Sequence, residues 1–321
     1  MNGTSVSVLI LTKNEQQDLP GCLQSVLWSD DIHVYDSGSS DDTVAIARRF
    51  GATIAERTYG ESNLAFGGDE AAHRNWGLQN IPFRHPWVFL MDADERVTPE
   101  LVAAIHAAVE APGGRVAFRV QRHDHFLGTW IRHVTPSPFN IRLCMHQFIH
   151  YERLTNPVIL VKGAVGEIPG HFDHFPFSKG ITHWIDKHNR YSSSEAAQII
   201  CNKTANKGFS FWKIVFANDK NERRFHQKEF YYRVPFRPLL MFILLYILKR
   251  GFLDGRAGLA YALLRSIYEY MIVLKVRELE AVAPAFMEPR ADRAQRDDLV
   301  CKLEAVAPAL KAESRQPANL G

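Results

Sequence analysis

Two acids stand one residue apart at Asp92-Ala93-Asp94, directly after the apolar run Trp87-Val88-Phe89-Leu90-Met91. A short apolar run bounded by Pro86 and carboxylates reads as a buried strand with its acids at the C-terminal end. Open α/β sheets take their ligands at that end. Two carboxylates in an extended turn can approach one hard divalent cation, and ions of the Mg²⁺ type favour one or two carboxylates together with phosphate oxygens. By itself the pair is a weak signal, because acidic loop pairs are usually solvated turns.

The elements around the pair strengthen it. Val6 to Leu11 reads as a strand, followed by Thr12-Lys13-Asn14-Glu15 and a helical pattern through Leu19, Leu23, Val26 and Leu27. A second strand, Ile32 to Tyr35, runs into Asp36-Ser37-Gly38-Ser39-Ser40-Asp41-Asp42-Thr43. Ser40 or Asp41 suits the cap of a helix from Val44 to Phe50, which Gly51 ends. Ala52 to Ala55 is a third strand. A Gly-containing loop from Tyr59 to Gly68 leads to a helix bearing His73-Arg74-Asn75-Trp76, and Thr98 with Pro99 starts another. This alternation predicts βαβ units around a mostly parallel sheet in residues 1–110. The clusters Thr12 to Glu15, Asp36 to Asp42 and Asp92 to Glu95 then fall on one sheet edge. Gly67-Gly68 lacks the G-x-G-x-x-G spacing, and no P-loop is present, so neither a dinucleotide enzyme nor a Walker ATPase is supported.

The order T-x-N-E, D-S-G-S-x-D-x-T, an R-N helix and D-A-D-E resembles the inverting glycosyltransferases of family 2, which have the GT-A fold. The likeness is specific over residues 5 to about 105 and looser to about 280, and is nearest to the bacterial branch that builds lipopolysaccharide core and exopolysaccharide. The resemblance implies transfer of a sugar from a nucleotide-sugar donor, commonly a UDP-sugar, with Mg²⁺ or Mn²⁺. Carried over by position, Thr12, Asn14, Glu15, Asp36 and Ser37 hold the nucleoside and Arg74 lies near the diphosphate. Asp92 faces ribose and metal, and Asp94 is the main metal ligand. Such a cation would stabilise the charge on a departing nucleoside diphosphate. Many relatives carry Gln where His73 stands, and His73 reads as a surface helical histidine.

Inversion requires a carboxylate near the acceptor hydroxyl. Relatives often keep His-Glu in the segment where this chain reads Thr155-Asn156-Pro157, which leaves Glu152, Glu167 and Asp173 as candidate bases. Glu152 is preferred because it begins the segment in which the family keeps its acceptor-side acids. His171-x-x-His174, in a Pro-flanked stretch read as a loop, could present an imidazole to a metal, and His174 is the preferred ligand. Trp184, His188 and Tyr191 share a helical face beside Lys187 and Arg190. That face suits either a diphosphate or anionic acceptor, or the closure of an amphipathic helix.

The C-terminal third differs in character. Residues 203–256 hold twelve Lys or Arg against four acids, a local +8, whereas the whole chain carries +3. Within this stretch, Leu239 to Leu248 is unbroken apolar sequence, too short for a bilayer span of roughly 20 residues. Leu259 to Val276 is interrupted by Arg265, Glu269 and Lys275, which are costly in mid-membrane. An interfacial placement suits both, with Tyr231, Tyr232, Tyr246, Tyr261, Tyr268 and Tyr270 at the boundary and each basic group contributing about 1 kcal/mol near anionic lipid. The competing reading is a helical hairpin that packs on the catalytic domain or builds a homo-oligomer. No nucleic-acid motif accompanies the basic charge.

The chain of 321 residues, 46% hydrophobic, can bury one large core plus an appendage. Its first apolar run reads as a strand and not a signal peptide, and four unpatterned cysteines suit a reducing compartment. Leu279 to Ala285 recurs as Leu303 to Ala309 in an Ala-, Pro- and charge-rich tail expected to be mobile. The expected organisation is a nucleotide-sugar-binding half (1–110), an acceptor-side half (111–200), an interfacial membrane region (201–280) and a tail (281–321). The expected activity is transfer to a lipid-linked or lipopolysaccharide-type saccharide on the cytoplasmic face of the inner membrane, by a peripheral or monotopic protein. A sugar nucleotidyltransferase, which would consume a nucleoside triphosphate, and a non-catalytic membrane scaffold are the rivals.

Overall fold

In the computed structural model, β1 (Val6–Thr12) is buried along its whole length and feeds two cores by alternation. Val6, Val8 and Ile10 join one cluster with Leu19, Leu23 and Phe89, while Leu9 and Leu11 join the other with Tyr35 and Leu90. A strand covered on both faces needs no polar alternation, which is why this run is apolar without a break. The structure describes residues 6–59, 69–152, 157–204, 210–216, 223, 226–227, 230–232 and 234–282. The Gly-containing loop at 60–68, Thr155 and Asn156, parts of the basic stretch between 205 and 233, and the tail from 283 with the second repeat copy lie outside them.

β1, β2 (Ile32–Asp36), β3 (Thr53–Glu56) and β4 (Trp87–Asp92) are parallel neighbours in the order β3-β2-β1-β4. Their register sets Thr12 beside Asp36 and Leu11 beside Asp92, so the three polar clusters end up on one edge. The intervening helices are α1 (Leu19–Ser25), α2 (Thr43–Arg49) and α3 (Glu70–Asn80), with α4 (Pro99–Glu110) after β5 (Glu95–Val97). Asp41 does not cap α2 from its own position: Asp42 is the N-cap residue, and the Asp41 carboxylate accepts from the Thr43 amide at 3.0 Å. Asp69 caps α3 by accepting from the Ala72 amide, and Thr98 caps α4 with Pro99 in the first turn.

Beyond β4 the sheet changes sense. β6 (Arg115–Phe126), β7 (Thr129–Trp130), β8 (Phe139–Met145) and β11 (Ala164–His174) extend it in the order β4-β8-β6-β11-β5. β8 is antiparallel to β4 and β6, β11 is parallel to β6, and β5 is antiparallel to β11. β9 (Ile149–Glu152) and β10 (Val158–Val161) form a separate ribbon. The α/β class is the one expected, with the parallel half at the N-terminal end.

The chain divides into two compact units, one of residues 1–132 and 136–179, the other of 133–135 and 180–321. The second is helical: α5 (Gly180–Thr204), α6 (Phe211–Phe216), α7 (Arg237–Phe242) continuing as a π-helical turn through Leu248, and α8 (Gly255–Val282). Within this unit Arg237 and Glu269 form a buried ion pair at 2.7 Å, and Lys275 Nζ donates to the Asn189 carbonyl and to Ser192 Oγ. Trp184 stacks on His188 with ring centroids 3.6 Å apart, and Trp184 is buried while Tyr191 is exposed.

α3 lies close on β2 because Gly77 faces the Tyr35 ring, where a Cβ would meet ring carbons at 2.9 Å. Tyr35 cannot swing away, since it is fully buried and stacked on His73. Gly77→Ala is expected to destabilise the protein by about 1–3 kcal/mol as overpacking, even after a gain of roughly 1 kcal/mol in helix propensity. Urea denaturation measures this, and a variant as stable as the parent would show that the Tyr35 ring yields.

Candidate active site

Two loops meet at the ends of β1 and β2. The Thr12 hydroxyl donates to Asp36 Oδ1 at 2.8 Å, and the Ser39 hydroxyl and amide donate to Oδ1 and Oδ2 at 2.6 and 2.7 Å. Lys13 Nζ donates to the Ser37 and Gly38 carbonyls. Asn14 adopts φ 55°, its side-chain oxygen accepting from the Ser40 amide at 2.8 Å. Asp36 and Ser37 are buried, so they brace these loops from below. Lys179 Nζ donates to the Asn14 carbonyl and to Glu15 Oε1, at 3.0 and 2.6 Å. Burial pushes the Glu15 carboxyl up to about 7 against the pull of Lys179, with the Asp94 charge adding to the rise.

Asp92, at the end of β4, lies between two guanidinium groups. Arg74 of α3 reaches Oδ1 at 3.2 Å and also pairs with Glu70. Arg142 of β8 stands 3.5 Å from Oδ2 and forms a close ion pair with Glu95, whose other oxygen accepts from the Asp92 amide at 3.0 Å. Burial would raise the Asp92 carboxyl, but Arg74 and Arg142 outweigh it and hold the group well below the usual carboxylate range. Arg142 and Glu95 had no assigned role in the sequence. The available signal was an arginine inside the apolar run Ile141-Arg142-Leu143-Cys144, since a buried charge demands a partner.

Asp94 has different company. His174 Nε2 stands 3.4 Å from Asp94 Oδ2, while His174 Nδ1 is 2.6 Å from Asp124 Oδ1. Asp124 is in turn paired with Arg122 at 2.9 Å. The Asp94 carbonyl accepts from the Phe175 amide, which ties the D-x-D turn to the end of β11. Burial lowers the His174 pKa, but its hydrogen bonds to Asp124 and Asp94 raise it to about 10. A carboxylate behind one imidazole nitrogen with a second donor before the other is the arrangement that orients a histidine toward a metal. Asp94 and His174 therefore fit a divalent cation as its protein ligands. Both oxygens of Asp92 already face guanidinium groups.

The histidines at 171 and 174 lie on strand β11, not in a loop. Their odd spacing puts them on opposite faces, so they cannot share one ion. His171 instead joins Asp173, His123 and His125, with His125 Nε2 at 2.9 Å from Asp173 Oδ1. Glu152 is exposed at the end of β9, a strand held to α3 because the Tyr151 amide and carbonyl both bond the Asn75 side chain at 2.8 Å. Glu167 is exposed on β11. His73 is not a surface residue: it is fully buried, stacked on Tyr35 with centroids 4.0 Å apart and bonded to the Tyr59 hydroxyl at 2.6 Å. The helix face toward the sheet had room for an aromatic ring, and burial lowers the His73 pKa to about 3.

An α/β sheet with acids and arginines gathered at the ends of its parallel strands has its ligand edge there. The chain belongs to glycosyl transferase family 2, whose family model matches residues 7–167. It is a glycosyltransferase. It is 24% identical over 286 residues to the lipopolysaccharide core biosynthesis glycosyltransferase LpsC of Rhizobium meliloti (strain 1021), covering 86% of this chain and 93% of the relative. An uncharacterized glycosyltransferase of Rickettsia typhi (strain ATCC VR-144 / Wilmington) is 22% identical, covering 85% and 87%. Among solved structures, glucosyl-3-phosphoglycerate synthase from Mycobacterium tuberculosis with Mn²⁺, UDP-glucose and phosphoglyceric acid matches with a TM-score of 0.34 and 16% identity. That match covers 46% of this chain and 58% of the other, so the chain spans little more than half of that protein.

Removing Arg142 leaves Glu95 as a buried charge without its close partner. Arg142→Met is expected to cost about 3–5 kcal/mol, and Arg142→Met with Glu95→Met should recover most of that loss. Equilibrium unfolding of the two single variants and the double variant measures the coupling, and additive effects would show that the pair is not a unit.

Proposed function

We propose that this glycosyltransferase is metal-dependent and inverting, and moves a sugar from a nucleotide diphosphate donor, a UDP-sugar by family resemblance, to a lipid-linked or lipopolysaccharide-type saccharide. The observation that carries the reading is the Asp94–His174–Asp124 relay standing beside an Asp92 already neutralised by arginines. Asp94 and His174 are the residues that would hold Mn²⁺ or Mg²⁺, with Asp92 turned toward the ribose side. When bound, the cation would offset charge on the leaving diphosphate. Arg74 supplies a fixed positive charge near that group, and the braced loops at Thr12 to Glu15 and Asp36 to Ser37 grip the nucleoside. Glu152, on the exposed end of β9, takes the proton from the acceptor hydroxyl as it attacks the anomeric carbon from the face opposite the leaving group. LpsC is a lipopolysaccharide core enzyme by its name, and this supports a saccharide acceptor.

Asp94→Ala is expected to lower transfer by about 10²-fold or more while the protein still unfolds cooperatively, because the one ion pair lost, to His174 at 3.4 Å, is partly exposed. Glu152→Gln is expected to lower kcat by about 10²–10⁴-fold, yet keep the stabilisation that a UDP-sugar confers on the folded protein. Radiolabelled donor with Mn²⁺ present or chelated measures both. Pyrophosphate release from a nucleoside triphosphate would instead favour a nucleotidyltransferase, and full turnover by Asp94→Ala would refute the metal role.

In this reading the partner is a membrane surface, at the cytoplasmic face of the inner membrane, and the exposed apolar side chains of the second unit support the membrane contact. Phe236, Leu239, Ile247, Leu248, Phe252 and Leu253 expose large apolar surface beside Lys249, Arg250 and Arg256. Among the described residues one helical stretch, Gly251–Ala281, is long and apolar enough to cross a membrane by length and composition. Arg265 and Lys275 lie inside that stretch and are costly in mid-membrane, so an interfacial seat answers the charge better than a span. Co-sedimentation with anionic vesicles is expected, weakening as salt rises and falling strongly in Ile247→Glu/Leu248→Glu. Concentration-dependent dimerisation lost in that variant, without vesicle binding by the parent, would favour the homo-oligomer.

A further inference from the structure

The face of β11 opposite His174 carries a second set of donors that the transfer reaction does not use. Register places Asp173 directly across from His123 on β6, with His171 one pleat before it and His125 one pleat beyond. One donor atom from each of His123, His171 and Asp173 lies within 4.8 Å of the other two. His171 Nε2 is 3.6 Å from Asp173 Oδ1, and His125 Nε2 holds that same oxygen at 2.9 Å.

The independent sign of a ligand is His123. The residue is 7% exposed, and its ring lies between Trp130 and His171, with centroids 3.6 and 3.7 Å away. Its Nε2 is buried with no hydrogen-bond partner among the described residues. A buried nitrogen left unmatched loses its hydration without return, which a bond to a cation would restore.

We propose that His123, His171 and Asp173 form a zinc site separate from the Asp94–His174 pair, with His125 orienting the Asp173 carboxylate. Two imidazoles and one carboxylate suit Zn²⁺, whereas Mg²⁺ prefers oxygen alone. Three protein ligands leave a fourth position for water. The hydrogen bond from His125 fixes which Asp173 oxygen is free, as outer partners of metal ligands do. Metal–nitrogen bonds lie in the ring plane, so the stacked His171 ring must turn to share an ion with His123. Its side chain is 33% exposed and has room to turn, while His123 is held by Trp130. Occupancy would clasp β6 to β11 next to the strand end that carries His174.

The proposal is independent of the proposed transfer reaction, and its test uses metal alone. Full-length protein stripped with chelator is titrated with Zn²⁺ by calorimetry, with thermal unfolding in parallel, and with Co²⁺ for the visible bands of a tetrahedral site. At least one equivalent should bind in the parent, one should remain in Asp94→Ala, and that equivalent should raise Tm and give those bands. His171→Asn, at a partly exposed position, and Asp173→Asn should each weaken binding by about tenfold or more and lose the Co²⁺ bands while still unfolding cooperatively. Three results would overturn the site: no stoichiometric Zn²⁺ in the parent, unchanged affinity in both His171→Asn and Asp173→Asn, or loss of the bound equivalent in Asp94→Ala, which would put the ion at Asp94–His174.

Discussion

A carboxylate at the end of a buried strand is tolerable only if something compensates its charge. At Asp92 the compensation comes from Arg74 on α3 and Arg142 on β8. Arg142 is itself neutralised by Glu95, which returns a hydrogen bond to the Asp92 amide. Four charged groups therefore close a circuit joining β4, β5, β8 and α3. Removal of Arg142 would strand Glu95, whose side chain is 1% exposed, where an unpaired charge is far more costly than the pair is favourable. The circuit also decides the chemistry available nearby. With Asp92 occupied by guanidinium groups, Asp94 is the member of the D-x-D pair left to face His174.

The parallel half of the fold was legible because two-sided burial writes itself as unbroken apolar runs. β1 and β4 are such runs, and parallel register carries their polar ends to one edge without further information. The second half was not legible for the same physical reason in reverse. β6 shows no clean alternation, with polar residues in succession at Gln121, Arg122 and His123, and it pairs with β8 and β11 from later in the chain. Nothing local declares which strands will meet. β5 is only three residues long, and its place at the far edge of the sheet follows from pairing with β11.

The site residues show the same division. Thr12, Asp36 and Asp92 sit where strand ends put them, so spacing in sequence located them. Arg142 and Asp124 reach the edge only through sheet pairings that bridge some 50 residues of chain. His73, expected on the helix surface, is buried because Tyr35, a residue on another element, stacks on it. Cys22 and Cys144 are buried and free, so the absence of paired spacing reflects two unrelated core positions.

The decisive geometric fact about β11 is parity. In a strand, residues separated by an odd number project to opposite faces, so His171 and His174 are committed to different surroundings by the backbone alone. One face carries His174 with Asp124 and Asp94, an arrangement in which one imidazole is oriented by one carboxylate and offered to another. The other carries His171 and Asp173 against His123 and His125, where imidazoles outnumber carboxylates. Oxygen-rich and nitrogen-rich donor sets select different cations. A single strand can therefore keep two such sets apart by less than the thickness of a sheet, with no loop or domain needed to separate them. Had the segment been the loop that Pro169-Gly170 and Pro176 suggest, both histidines could have turned to one ion and the two sets would have merged.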